Sequence, residues 1–222
     1  MTNKKMIALF YGSLIFSIYM LNRSDNQPII EPVIEQMRIK PVSKPISSLL
    51  WERKTQGAFF GAPTVQNNNI FFASAGDLYA VNNTGKELWK FTVDDRITAS
   101  PVVNNDTVYF GSRNHYLYAV NASTGLEKWK LHTGLIMGTP ALVDNLIYVG
   151  SEDHYLYAIN TKTGQMEWRF KADSFILSSP VLGGGLVYFG SSDGFLYALN
   201  SKTGKMVWKY KGIDGLTSPA VS

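Results

Sequence analysis

Five tryptophans punctuate this chain at nearly constant intervals: Trp51, Trp89, Trp129, Trp168 and Trp208 stand 38, 40, 39 and 40 residues apart. Three further markers keep the same period. Prolines recur at Pro63, Pro101, Pro140, Pro180 and Pro219, and a Leu-Tyr-Ala-(Val/Ile/Leu)-Asn string begins at Leu78, Leu117, Leu156 and Leu196. Thr-Gly pairs stand at Thr84-Gly85, Thr124-Gly125, Thr163-Gly164 and Thr203-Gly204. A fixed period of this length means that one supersecondary unit is copied along the chain and that its copies bury their apolar faces against one another.

The second period shows what the unit is. Ser100–Val103, Thr107–Gly111, Tyr116–Asn121 and Glu127–Leu131 are rich in Val, Tyr, Phe and Trp, and turn residues separate them. Connections this short force antiparallel neighbours, because a parallel crossover needs a dozen residues or more. The four strands, A to D, therefore form a meander. Strands B and C are apolar on both faces, which requires cover on both sides. Strand D, Glu127-Lys128-Trp129-Lys130-Leu131, alternates charge with bulk, as an outer edge does. The fold class predicted is an all-β propeller of four-stranded antiparallel blades. Complete blades are expected at about 57–93, 94–133, 134–172 and 173–212, with a lone D strand at Leu49–Arg53 and a further A strand at Thr217–Val221. That makes an open arc with two exposed blade faces.

Residues 46–222 hold the repeats, and two other segments precede them. Lys4 and Lys5 lead into Met6–Leu21, sixteen residues without a charge. This pattern fits a signal peptide or an N-terminal membrane anchor over residues 1–21. No pair of small residues marks a cleavage site near Leu21, so the reading favours an uncleaved anchor, with membrane contact through this segment alone. Residues 22–45 carry Pro28, Pro32, Pro41 and Pro45 and read as an extended linker, with a weakly signalled helix near Glu31–Arg38. The repeats are thus expected to be exported, to a periplasmic or cell-surface location.

Charge and cysteine content remove whole classes of function. The net charge is +4, but residues 1–45 hold six Lys/Arg against three Asp/Glu, and the remainder hold fifteen against fourteen. The body is nearly neutral and lacks the clustered basic surface of a nucleic-acid binder. With no cysteine there is no disulfide, thiolate zinc site or cysteine nucleophile.

Residues repeated in every blade read as architecture: Trp51, Trp89, Trp129, Trp168 and Trp208 for docking onto the next blade, and Gly85, Gly125, Gly164 and Gly204 for the tight turns. Functional residues should differ between blades. On the face shared by the D–A and B–C connections, Arg96, Arg113, His115, His132, Met137, Asp153, His154, Phe175 and Asp193 do so, and they are the candidate partner-binding residues. His115 and His154 occupy one turn position in successive blades. A metal needs three or four converging ligands, and these read as turn residues. No catalytic, cofactor-binding or metal-ligating residue is assigned.

From Ala119 the second period reads Ala-x-Asn-x-x-Thr-Gly-x-x-x-Trp, ending at Trp129, and it recurs from Ala158 to Trp168 and from Ala198 to Trp208. In these residues the chain resembles the PQQ-type (quinoprotein-like) β-propellers, whose tryptophan-docking motif runs Ala-x-Asp-x-x-Thr-Gly-Lys-x-x-Trp. Here Asn82, Asn121, Asn160 and Asn200 replace the Asp. The resemblance implies a propeller of about eight blades, of which this chain holds half. It also implies two lines of function. One is the exported, non-enzymatic members of the BamB type, outer-membrane protein assembly factors. Their lipid-anchoring cysteine is missing here. The other is the PQQ-dependent dehydrogenases, with PQQ and calcium as cofactors. The expectation is a scaffold without cofactor that binds a protein partner in the cell envelope and associates with itself through open blade edges. A dehydrogenase fragment and a ligand-binding sensor are the alternatives.

Overall fold

The computed structural model describes residues 50–212. The N-terminal segment, the linker and the A strand expected at Thr217–Val221 lie outside the described residues. The described residues belong to one compact unit. Among the described residues no helix is long and apolar enough to cross a membrane.

Among the described residues sixteen strands follow in order. Blade 1 is β1 (Thr64–Gln66), β2 (Asn69–Ser74), β3 (Asp77–Asn82) and β4 (Glu87–Thr92). Blade 2 is β5 (Val102–Asn104), β6 (Thr107–Gly111), β7 (Tyr116–Asn121) and β8 (Glu127–His132). Blade 3 is β9 (Ala141–Val143), β10 (Leu146–Gly150), β11 (Tyr155–Asn160) and β12 (Met166–Lys171). Blade 4 is β13 (Val181–Gly183), β14 (Leu186–Gly190), β15 (Phe195–Asn200) and β16 (Met206–Lys211). Each set is its own antiparallel meander, A-B-C-D. The A strands of successive blades adjoin, β1 beside β5 and β9 beside β13.

Local chemistry explains the boundaries. In blades 1 and 4 two-residue A–B turns bring in αL backbone at Asn67-Asn68 and Gly184-Gly185, the geometry that suits the twist of a tight hairpin. Every C–D pair slips register at one place, Ala80/Val81, Ala119/Val120, Ala158/Ile159 and Ala198/Leu199, a bulge that strengthens the twist of the outer strand. The second A strand begins at Val102, two residues later than the sequence suggests. Pro101 has no N–H to give the ladder, so pairing starts beyond it.

The core lies between blades. Along β6 the side chains alternate: Val108 and Phe110 join Phe71 and Trp89 of blade 1, while Tyr109 and Trp129 join Ile147, Val149 and Tyr157 of blade 3. A third cluster joins Tyr148 and Trp168 to Val187, Phe189 and Tyr197. In blades 2 and 3, strands B and C are therefore buried on both faces, while strand D is partly buried on one.

The lone D strand expected at Leu49–Arg53 is corrected: residues 50–63 form no strand. A D strand bonds only to strand C of its own blade, and the described residues hold no such partner for it. Residues 50–62 instead form a strap over blade 1, held mainly through side chains. Trp51 packs against the cluster of Phe72, Tyr79 and Val81. Ser74 Oγ donates to Thr55 Oγ1 at 2.7 Å, and Phe59 meets Phe72 with ring centroids 5.8 Å apart. The expectation of two bare faces is corrected for the first of them, which the strap covers; the second adjoins the end of the described residues.

Candidate functional site

The recurring tryptophans make one contact four times. Trp51, Trp89, Trp129 and Trp168 donate Nε1–H to the backbone oxygens of Asn83, Ala122, Thr161 and Ser201, at 3.0, 2.9, 3.0 and 3.0 Å. Each indole lies against a glycine in αL, Gly85, Gly125, Gly164 and Gly204 in turn, where an added Cβ would stand within 2.7 Å of the ring. Only glycine satisfies both the positive φ and the close approach. The Asn side chain before each turn holds it in shape; Asn121 Oδ1 accepts from Ser123 N and Thr124 N at 2.9 Å each. Trp89 is buried, and Trp129 and Trp168 are half-buried. Trp208 differs: it is 41% exposed, and among the described residues its Nε1 has no hydrogen-bond partner.

The D–A and B–C connections share one face, as the hydrogen bonds show. Arg113 N donates to Arg96 O at 2.9 Å, Glu152 N to Leu135 O at 3.0 Å and Ser192 N to Phe175 O at 2.8 Å. Each D–A loop is thus stitched to the B–C turn of the next blade. Fully buried Ile97, Ile136 and Ile176 anchor the loops. Their neighbours point outward: Met137, Phe175 and Leu177 are 45%, 40% and 37% exposed. Arg96 and Arg113 are also exposed, and the Arg96 guanidinium lies 6.0 Å from the Phe60 ring.

The other candidates fall into small groups. His115 stacks on His132 with centroids 6.3 Å apart, and Tyr116 meets His132 edge-on. His154 meets Phe175 edge-on at 5.2 Å. His115 and His154 have φ of 70° and 77°, the conformation that Gly194 takes in blade 4. Asp153 accepts from Tyr157 Oη and Tyr155 N, and Asp193 from Tyr197 Oη and Phe195 N, so both carboxylates brace their own turns, and Asp193 also accepts from Asp173 N of the D–A loop at 3.1 Å. Burial first, then the bond to aspartate, pushes the Tyr157 and Tyr197 hydroxyls well above the usual tyrosine range. Among the described residues no group of three or more His, Asp and Glu side chains converges to hold a metal.

The opposite face, where the sequence shows turn residues, holds a cleft of about 310 Å³ between blades 2 and 3. Lys128 Nζ donates to Asp106 Oδ2 and to Thr107 Oγ1 at 2.8 Å each. The bond from Lys128, and next the Thr107 hydroxyl, which donates to Asp106 Oδ1 at 3.0 Å, hold the Asp106 carboxyl below the usual carboxylate range. Asn104, Asn145 and Lys162 line the same cleft. Lys128 was missed because it lies on a strand; the readable signal is that its counterparts are Leu88, Glu167 and Val207. The cleft offers hydrogen bonds and balanced charge.

Four-stranded meanders stacked face to face, each docking a tryptophan on the next, define a β-propeller of the PQQ-like repeat class. The family model of the outer membrane protein assembly factor BamB matches residues 38–135 and 131–221, and the chain belongs to that family. Solved structures share the fold. BamB from Moraxella catarrhalis superposes with a TM-score of 0.67 at 18% identity, over 73% of this chain and 52% of that one. A quinohemoprotein alcohol dehydrogenase from Pseudomonas putida HK5 superposes at 0.63 with 17% identity, over 72% and 35%. A tetrathionate hydrolase from Acidithiobacillus ferrooxidans is 36% identical over 86 residues, 37% of this chain and 17% of that protein. The chain thus spans about half the length of the BamB structure and a smaller share of the two enzymes.

Proposed function

We propose that this propeller is a non-enzymatic scaffold of the cell envelope, and that its D–A/B–C face holds a protein partner in outer-membrane protein assembly. One observation carries the reading: Met137, Phe175 and Leu177 stand exposed on loops whose backbone is fixed by bonds between blades. Exposed apolar side chains on rigid loops suit a protein interface, since little conformational entropy is lost on docking. Membership of the BamB family supports the setting.

The reading assigns no PQQ and no calcium. Incubation with PQQ and Ca²⁺ tests this, and retention of quinone absorbance after desalting overturns it.

A photo-crosslinking residue at Phe175 is expected to capture an envelope protein in cells, while the same residue at Lys162, on the opposite face, is not. The double variant M137S/F175S is expected to lose the captured protein without a change in melting temperature. Equal capture from both faces, or capture that survives the double variant, refutes the assignment.

A further inference from the structure

The cleft between blades 2 and 3 joins rigid walls to side chains that the rest of the blade does not use. On the blade 2 wall, Lys128 reaches from β8 to Asp106 Oδ2 and Thr107 Oγ1 at 2.8 Å each, which pins the A–B turn. On the blade 3 wall, Thr161 donates through N and Oγ1 to Asn145 O at 2.9 and 3.1 Å, which ties the C–D turn to the A–B turn. The two walls are tied to each other as well. Trp129 Nε1 and Tyr109 Oη of blade 2 both donate to Thr161 O of blade 3, at 3.0 and 3.3 Å. The enclosed volume, about 310 Å³, is at the small end of pockets that hold low-molecular-weight ligands. A cleft held open in this way loses little freedom when it is filled.

The repeat does not require this lining. Lys128 stands where the other blades carry Leu88, Glu167 and Val207, and Asn104 stands where blades 3 and 4 carry Val143 and Gly183. Lys128 and Asp106 neutralise one another. Among the described residues the side chains of Asp144 and Lys162 enter no ion pair, and those of Asn104 and Asn145 enter no hydrogen bond. The cleft therefore offers one carboxylate, one ammonium and two carboxamides to a ligand.

That set is selective. A nucleobase is held by stacking on an open ring, and the aromatic residue of the lining, Tyr109, is only 3% exposed. A simple acid leaves Asp144 unanswered and a simple amine leaves Lys162 unanswered, whereas a ligand of both charges meets both. Each carboxamide adds a donor and an acceptor, as a peptide group requires. We propose that the cleft binds a small zwitterion with an α-ammonium and an α-carboxylate, a free amino acid or a short peptide, with the ammonium on Asp144 and the carboxylate on Lys162. The site lies on the face opposite the D–A/B–C platform and does not depend on the scaffold reading.

Isothermal titration of the full chain in mild detergent tests the proposal, with L-alanyl-L-alanine as the probe. Saturable binding at one site is expected. Acetylating the dipeptide's amine or amidating its carboxylate is expected to weaken binding about tenfold each, the worth of one charge-assisted hydrogen bond. D144N is expected to bind the free dipeptide about tenfold more weakly and the acetylated one as the parent chain does; K162Q is expected to do the same for the amidated one. Both variants alter exposed side chains, so melting temperatures should be unchanged. Free L-alanine separates the two sources: binding tighter than the dipeptide's assigns the site to amino acids, and weaker binding assigns it to peptides. Maltose, which is neutral, is expected not to bind. No saturable binding of alanine or dipeptide, equal binding of blocked and unblocked dipeptides, variants that bind as the parent does, or maltose that binds as tightly as the dipeptide overturns the proposal.

Discussion

A Cβ on Gly164 would stand 2.7 Å from the indole of Trp129, a residue of the preceding blade, so each of the two defines the space the other can use. G164A is expected to cost about 2–4 kcal/mol, combining the left-handed backbone with overpacking. W129A is expected to cost about 3 kcal/mol for a large-to-small change at a half-buried site. In W129A the added methyl at position 164 has room, so the double variant should cost less than the sum of the two. Urea denaturation of the four proteins checks this. Strict additivity would show that the two residues do not share one contact.

The Tyr–Asp pairs predict an alkaline limit to stability. The folded-state pKa of Tyr157 and of Tyr197 is raised, so their contribution is complete below the unfolded tyrosine value and is lost as pH rises above it. Stability is expected to be flat up to about pH 10 and to fall beyond it, with the fall reduced in Y157F. Denaturant midpoints across that range measure it. An unchanged slope in Y157F would assign the alkaline loss elsewhere.

Blade 2 departs from this pairing. Asn114 Nδ2 donates to Tyr118 Oη, which leaves Asn114 Oδ1 buried without a partner. N114D should restore the arrangement of blades 3 and 4, with Tyr118 as donor. The gain expected is about 0.5–1 kcal/mol at neutral pH and none at about pH 3, where the new carboxyl is protonated. Thermal melts at the two pH values decide it.

The turn at His154 gives a fourth test. Its φ of 77° is one that glycine adopts without cost, and blade 4 places Gly194 there. H154G is expected to hold or raise stability by up to about 1 kcal/mol, with the relief of backbone strain offset by the lost edge contact to Phe175. A loss above about 2 kcal/mol would mean that the imidazole has a structural role beyond the turn.

Much of the blade was legible because one pattern is written four times. The apolar runs from Thr107 and from Tyr116, the alternation in Glu127–Leu131 and the Asn-x-x-Thr-Gly turns mark B, C, D and the bulged C–D connection. The strap was not legible. Trp51 carries the docking signal, but whether a ladder forms beside it depends on a strand C elsewhere in the chain. The Asx–Tyr pairs were readable at Asn114/Tyr118, Asp153/Tyr157 and Asp193/Tyr197, four residues apart each time. They went unnoticed because blade 1, with a shorter turn, places Asp77 only two residues before Tyr79. The cleft at Lys128 was hidden for another reason: it is assembled from turns of two blades, and neither turn is unusual alone.

The strap makes the first copy of the repeat unlike those after it. A blade in a linear stack draws its stability from the neighbours it touches. Blades 2 and 3 have a blade on each side, whereas blade 1 has blade 2 on one side and the strap on the other. Amide exchange should therefore be slower in β6, β7, β10 and β11 than in β2 and β3. Copies of one motif thus differ in how firmly they are held, because a segment without a ladder stands in for a blade on one side of the first.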